Sequence, residues 1–469
     1  MARFAAGTAS LATFVAVAST AVGTVAAHVG TLEGVSTEAP IPQWYVVTVA
    51  GVVVGASFLF TSLMADHRTL RWINTRSVRA RWPWSGRRAI DALLGAGSVL
   101  GLASLVAVGL VGPASANANL ASLGIWVAWW GGFTIATYGL GNAWPAVDPF
   151  RRLAGLVASL VPSSPRWTYP DRVGAWPAVV GLLALVFAEV VSGATERPGV
   201  LAVLVVGYVL VTAAGTVAVG RRAWFATADP LAAVFRTYGS LAPIQRTAEG
   251  ISLRLPGAAL TDGRIYETPG RVAFVVALLW ATTFDGLVST PVWRALLAPV
   301  VAVGVPAVVG YVVALLAGFA VFYGVYRWAA RRSRETADTC VTADAIARWL
   351  APSLVPIAAG YHLAHFLGYV VSLSPALLAA LADPLGAGAA ATGPPQVAVL
   401  PDWFGFLQLG AVLAGHLLAI WVAHSIAFDL FPGARQPIRS QYPLVGVMVA
   451  YTLVSAWVIV SPTIPTPYV

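Results

Sequence analysis

Residues 404–428 read FGFLQLGAVLAGHLLAIWVAHSIAF, an apolar run without Asp, Glu, Lys or Arg. About 20 such residues, at ~1.5 Å of helical rise each, match a hydrocarbon core ~30 Å thick. The run therefore predicts a membrane-crossing helix. Residues 360–373, GYHLAHFLGYVVSL, belong to a second run of the same kind. Together these runs hold His362, His365, His416 and His424, four of the six histidines in the chain. A polar ring at membrane depth is costly unless it meets a partner, so each is a candidate for function.

The rest of the chain repeats the pattern. Of 469 residues, 58% are hydrophobic and 10% charged, and the mean hydropathy is +0.78. That composition excludes a soluble globular protein and predicts an all-α, polytopic transmembrane helix bundle. The 45 Gly and 31 Pro suit membrane helices, where small residues allow close approach and neighbours satisfy freed backbone groups. One cysteine, Cys340, excludes an intrachain disulfide and any cysteine-based metal cluster. Ten spans are expected, at about 44–65, 89–112, 120–141, 174–194, 199–220, 271–290, 301–326, 347–373, 403–425 and 443–461.

The charges agree with this layout. The formal net charge of +9 comes from arginine alone, because the chain has no lysine. Seven Arg lie in 66–88, four in 142–173, seven in 221–271, four in 327–346 and two in 428–441. The alternate loops hold almost none, Arg197 and Arg294 being the exceptions. By the positive-inside rule the Arg-rich loops face the cytoplasm. The mature N-terminus and the C-terminus then lie outside a cell (plasma) membrane. Arginines spread over loops do not form a nucleic-acid-binding face, so no nucleic acid partner is expected. Trp44, Trp144, Trp176, Trp224, Trp293, Trp328 and Trp403 fall near span ends, where an amphipathic ring anchors best.

At the N-terminus, Arg3 precedes an apolar stretch from Phe4 to about Val22, then Val25-Ala26-Ala27. This is a signal-peptide pattern over 1–27, the alternative being an uncleaved first helix. Residues 28–469 then form a single integral membrane domain. Cleavage would leave His28 at the new terminus, where its amine and ring could chelate copper.

Internal repetition is visible in two Asp-Pro pairs. Trp144 is followed by Asp148-Pro149-Phe150, and Trp224 by Asp229-Pro230-Leu231. Asp as N-cap and Pro as first helical residue should open short interfacial helices, and Asp344-Ala345 suggests a third. Their shared orientation would make parallel hairpin repeats. In the long 221–271 cytoplasmic loop, a strand is expected at Ile251–Leu255 and a turn at Asp262-Gly263.

The buried polar residues carry the chemistry. His362 and His365, three apart, share a helix face. His416 falls roughly level with them in the next span. A metal site using His365, His416 and His362, holding copper or zinc, is one reading; bis-histidine ligation of a b-type haem is another. Neutral histidines bonding between helices is the third. His424 lies ~12 Å below His416 and suits a separate proton or ion path. Glu189 and Asp285 are the acids deepest in the expected spans and fit that path as well, although Asp285 before Gly286 could simply end a helix. Asp91 beside Arg87 and Arg88 reads as an N-terminal charge complementing a helix dipole. No Walker, G-x-S-x-G, HExxH or CxxCH motif occurs, which argues against an ATP-driven pump or a standard serine hydrolase.

The segments 169–191 (YPDRVGAWPAVVGLLALVFAEVV), 283–293 (TFDGLVSTPVW), 350–366 (LAPSLVPIAAGYHLAHF), 381–388 (LADPLGAG) and 407–424 (LQLGAVLAGHLLAIWVAH) carry a family resemblance. They resemble prokaryotic multi-pass membrane proteins that bear the label fenitrothion hydrolase, over about residues 28–431. The resemblance implies that Glu189, Asp285, Asp383, His365, His416 and His424 are recurring positions, whereas His362 is particular to this chain. It also implies cleavage of organophosphate-type esters, plausibly by a metal-activated water. Three functional classes thus stay open: a transporter-like bundle handling metal ions or protons, a membrane-embedded hydrolase, and a structural membrane subunit. The lipid bilayer is the expected partner in all three, with a small ion or small molecule as substrate in the first two.

Overall fold

The apolar runs fold as helices, and in the computed structural model 77% of the described residues are helical. The structure describes residues 43–63, 66–81, 87–161, 165–194, 196–247, 250–262, 267–387, 397–401, 403–462 and 464–468. The signal-peptide pattern, His28 and Gly263 lie outside them. In chain order the helices are α1 (Gln43–Ser62), α2 (His67–Thr75), α3 (Arg87–Val111), α4 (Leu120–Leu140), α5 (Pro149–Leu160), α6 (Trp176–Val191) and α7 (Pro198–Val219). They continue with α8 (Pro230–Gly239), α9 (Arg271–Val288), α10 (Pro291–Ala302), α11 (Ala307–Ala337), α12 (Ala343–Ala382), α13 (Phe404–Leu430) and α14 (Arg435–Val460).

Nine of these described helices are long and apolar enough to cross a membrane: α1, α3, α4, α7, α9 and α11 to α14. The expected span at 174–194 is the short apolar helix α6. Its 16 residues give ~24 Å of rise, less than a full hydrocarbon core. The other nine expected spans each coincide with one of the long helices. Large side chains such as Leu59, Phe60, Leu210 and Val321 project outward from the bundle, as a lipid-facing surface requires.

All the Arg-rich loops meet at one end. Strand β1 (Val78–Arg81) pairs antiparallel with β3 (Gly250–Leu253), which pairs antiparallel with β2 (Ile244–Thr247). This sheet joins loop 66–88 to loop 221–271. Arg71 reaches Asp429 at 2.9 Å, and Thr336 donates to the Arg439 carbonyl at 3.0 Å. Arg152 donates to the Asp91 carbonyl at 3.1 Å, tying in loop 142–173. The strand expected at Ile251–Leu255 stops at Leu253, because Arg254 turns away to hold Asp262 and the Asn74 carbonyl. The opposite end is closed by Gln43 on the Val460 carbonyl and Tyr311 on the Pro467 carbonyl.

The Asp-Pro expectation holds twice. Asp148 caps α5 by accepting from Arg151 N at 3.0 Å, and Asp229 caps α8 by accepting from Ala232 N at 2.8 Å. At the third place the cap is Thr342, which accepts from Ala345 N, while Asp344 pairs with Arg327. A β-branched hydroxyl caps well enough to free the acid for the arginine. Two of the expected tryptophan anchors are instead packing groups: Trp144 and Trp293 are buried, whereas Trp44, Trp328 and Trp403 are exposed.

Helix α9 is the core of the bundle, with 14 of its 18 residues buried. Any polar residue on it therefore faces protein. Helices α12 and α13 cross closely at two glycines. A Cβ on Gly360 would lie 2.7 Å from the Ala411 carbonyl oxygen and 3.0 Å from the Gly415 Cα. Such small-residue crossings let backbones approach within the bilayer. Gln408 of α13 reinforces this one by donating to the Ala364 carbonyl at 2.8 Å.

A candidate acid–histidine site among the spans

Asp285 lies one turn from the end of α9 and is followed by Gly286. The glycine is required by its neighbour, since any Cβ there would collide with the Tyr361 hydroxyl. Asp285 does not merely end the helix. Its Oδ2 lies 3.3 Å from His365 Nε2 on α12, with only 9% of the histidine and 19% of the aspartate side chain exposed. Tyr361, one turn earlier on α12, stacks parallel to the His365 ring at 6.3 Å. Glu189, half-buried on α6, is close enough to Asp285 for the two carboxyls to act on each other. Tyr369, one turn after His365, is within electrostatic range of Glu189. Residues 361, 365 and 369 recur every four positions and so share one face of α12, a helix that packs on α9.

Fully ionised, two carboxylates and one imidazolium would sum to −1, and an uncompensated charge in a low-dielectric interior is expensive. One further proton or small cation would bring that sum to zero.

Three residues from His365 on α12, His362 is 1% exposed, and neither ring nitrogen has a hydrogen-bond partner among the described residues. Its ring stacks on Phe366 at 4.4 Å, and Trp130 meets it edge to face at 5.4 Å. Tyr138 and Tyr238 lie at 6.0 and 5.9 Å. A π-helical stretch, Gly124–Phe133 within α4, contains Trp130 and packs on α12. Such wide turns inside helices frequently mark functional sites. The sequence showed the histidine but nothing of this ring of aromatics, which come from α4 and α8 as well as from α12 itself.

His416 is engaged with its own helix: Nδ1 bonds the Val412 carbonyl at 2.8 Å, and Nε2 is buried without a hydrogen-bond partner among the described residues. His424 meets Gln441 of α14 at 3.2 Å across the interface between α13 and α14. Asp383 closes the end of α12, accepting from Ala387 N at 3.1 Å. Among the described residues no three His, Cys, Asp or Glu side chains are grouped to hold a metal ion. Glu189, Asp285 and His365 are neighbours without converging on one coordination point.

A second acidic pair, read from the sequence only as helix caps, sits at the Arg-rich end. Asp148 and Asp229 are each 1% exposed and act on one another. Asp229 Oδ2 accepts from the Tyr208 hydroxyl at 2.8 Å, whereas Asp148 Oδ2 has no hydrogen-bond partner among the described residues. Burial pushes the Asp148 carboxyl up to about 7, with the charge of Asp229 adding to it and the Arg151 N–H opposing. Burial raises Asp229 as well. The signal in the sequence was the pair of Asp-Pro motifs following two spans that end on the same face.

No protein-family model, no characterised protein and no solved structure matches this chain.

Proposed function

We propose that this multi-pass bundle handles protons, or a small cation exchanged against them, through Glu189, Asp285 and His365. One observation carries the reading: His365 of α12 lies 3.3 Å from Asp285 of α9, and Glu189 of α6 is within electrostatic range of that aspartate. Ionisable groups at membrane depth are rare because they are costly, and those that persist line ion and proton routes. Fully ionised, the group would sum to −1 and would not be a self-balanced salt bridge. Its charge changes by one when a proton or cation enters, which is what a carrier or relay requires. The arginine distribution supports the orientation: the Arg-rich end faces the cytoplasm and the end nearer Glu189 and Asp285 faces out.

The hydrolase activity implied by the family resemblance would call on the same acids and histidines around a metal. The lack of a three-ligand grouping among the described residues favours proton exchange instead.

The test is proton flux into vesicles loaded with a pH-sensitive dye, driven by a potassium diffusion potential. The wild-type protein should acidify the lumen well above the protein-free rate. Glu189→Gln and Asp285→Asn, which keep size and hydrogen bonding, should reduce that flux at least tenfold at unchanged folded yield. Flux equal to wild type in both variants would refute the reading.

A further inference from the structure

The acid–histidine group lies toward one end of the bundle, and a proton entering there needs an exit at the other. Glu189 is two residues from the end of α6 and Asp285 three from the end of α9, both remote from the Arg-rich end where these helices begin. His362 precedes His365 on a helix that also starts at the Arg-rich end, so it stands one turn deeper, ~4.5 Å along the axis. Tyr138, two residues from the end of α4, and Tyr238, at the end of α8, lie closer still to that end. The two tyrosine rings meet edge to face at 5.2 Å, and each also faces the His362 ring. The order along the membrane normal is thus Glu189 and Asp285, His365, His362, then Tyr138 with Tyr238.

Every one of these groups can both give and take a proton, whereas Trp130 and Phe366 insulate the step at His362. A buried imidazole whose two nitrogens have no hydrogen-bond partner among the described residues is poorly explained as packing, because an unsatisfied buried polar atom is destabilising. It is well explained as a link that must bond to one neighbour and then to another.

We infer that His362 is the inner link of a proton route, passing protons between the Glu189–Asp285–His365 group and the hydroxyls of Tyr138 and Tyr238. The inference rests on the proton handling proposed above. In the step toward the Arg-rich end, one ring nitrogen of neutral His362 forms an N–H bond with the arriving proton. The N–H bond on the other nitrogen breaks, and that proton passes to a tyrosine oxygen as the phenol releases its own onward. One proton moves, no group is oxidised or reduced, and no charge stays behind. The ring is left in its other tautomer, and rotation about χ2 turns the N–H-bearing nitrogen back toward the tyrosines and the bare nitrogen toward the next arriving proton. His362 does not hold the exchangeable charge; it conducts it.

The same dye-loaded vesicles test this with His362→Phe, which preserves an aromatic ring stacked on Phe366. The flux should fall at least tenfold. The carboxyl stretching band of protonated Glu189 and Asp285, read by infrared difference spectroscopy and assigned by loss in Glu189→Gln and Asp285→Asn, should persist. Wild-type flux no faster than empty vesicles would overturn proton handling altogether, and the relay with it. Wild-type flux that His362→Phe leaves unchanged would overturn the relay alone. If His362→Phe does not fold, the double variant Tyr138→Phe with Tyr238→Phe decides, since it deletes only the two hydroxyls. Unchanged flux in that protein overturns the route, and a tenfold loss supports it.

Discussion

Replacing Asp148 with asparagine should make the protein more stable above neutral pH and leave it unchanged in acid. Asparagine caps a helix about as well as aspartate, so the bond from Arg151 N to the side chain at 148 survives the exchange. What disappears is the titration. Burial, reinforced by Asp229, lifts the Asp148 carboxyl to about 7. An aspartate in an unfolded chain titrates near ~3.9, so the difference is about 3 units, or about 4 kcal/mol at ~1.36 kcal/mol per unit. The sign follows from the raised value. The native state holds this proton more tightly than the unfolded state does. Its contribution is complete below about pH 4 and is lost as pH rises through 7. Above neutrality the wild type carries a buried charge that the variant lacks, and Asp229, also raised by burial, acts in the same direction and remains in both proteins. The assay is thermal unfolding in detergent, followed by intrinsic fluorescence of the 18 tryptophans at one fixed scan rate, because membrane bundles unfold irreversibly. Below about pH 4 the two midpoints should coincide. At about pH 8.5 Asp148→Asn should melt several degrees higher, the shift expected of up to about 4 kcal/mol. Midpoints that run parallel across the whole pH range would refute the assignment of a shared, proton-dependent strain to this pair.

Three further outcomes are expected. Native Cys340, exposed at the Arg-rich end, should react with an impermeant maleimide only after cells are permeabilised, whereas a cysteine at Leu385→Cys should react in intact cells; the reverse pattern would invert the topology. Gln441→Leu removes the partner of His424 and should cost about 1–3 kcal/mol of stability without changing proton flux, so a variant with lost flux but wild-type stability would put His424 on the route after all. Gly360→Leu forces a side chain into the Ala411 carbonyl and Gly415 and should abolish folded yield, measured by size-exclusion chromatography, while the same change at Gly446, where a Cβ meets nothing within 4 Å, should be tolerated.

How much of this could be read from the chain alone depended on the range of the interaction. The long apolar helices follow from runs of apolar residues, and the gathering of the Arg-rich loops at one end from the arginines between those runs, which are local properties. Only α6 departs, being too short for a full hydrocarbon core, and it buries one side, Ala178, Val179, Leu182, Leu183 and Val186, against its neighbours. The Asp148 and Asp229 caps were legible because capping is decided within four residues. At Asp344 the same logic failed, since Arg327, 17 residues away, competes for the acid. The approach of the two caps to one another is decided by how α5 and α8 pack, and no local pattern encodes that.

The candidate site divides along the same line. Glu189, Asp285 and His365 stood out singly by depth, but their adjacency depends on α9 lying at the centre of the bundle. Reading residues 362, 365 and 416 as one group assumed that equal depth means proximity. In the structure His416 turns to its own Val412 carbonyl, His365 turns to an acid on α9, and His362 lies among aromatic rings from α4, α8 and α12. Depth is set by chain position, whereas azimuth around a helix is set by partners. On α12 a difference of three residues separates an imidazole that faces charge from one that faces rings. The same short interval is what would let a proton step from one to the other.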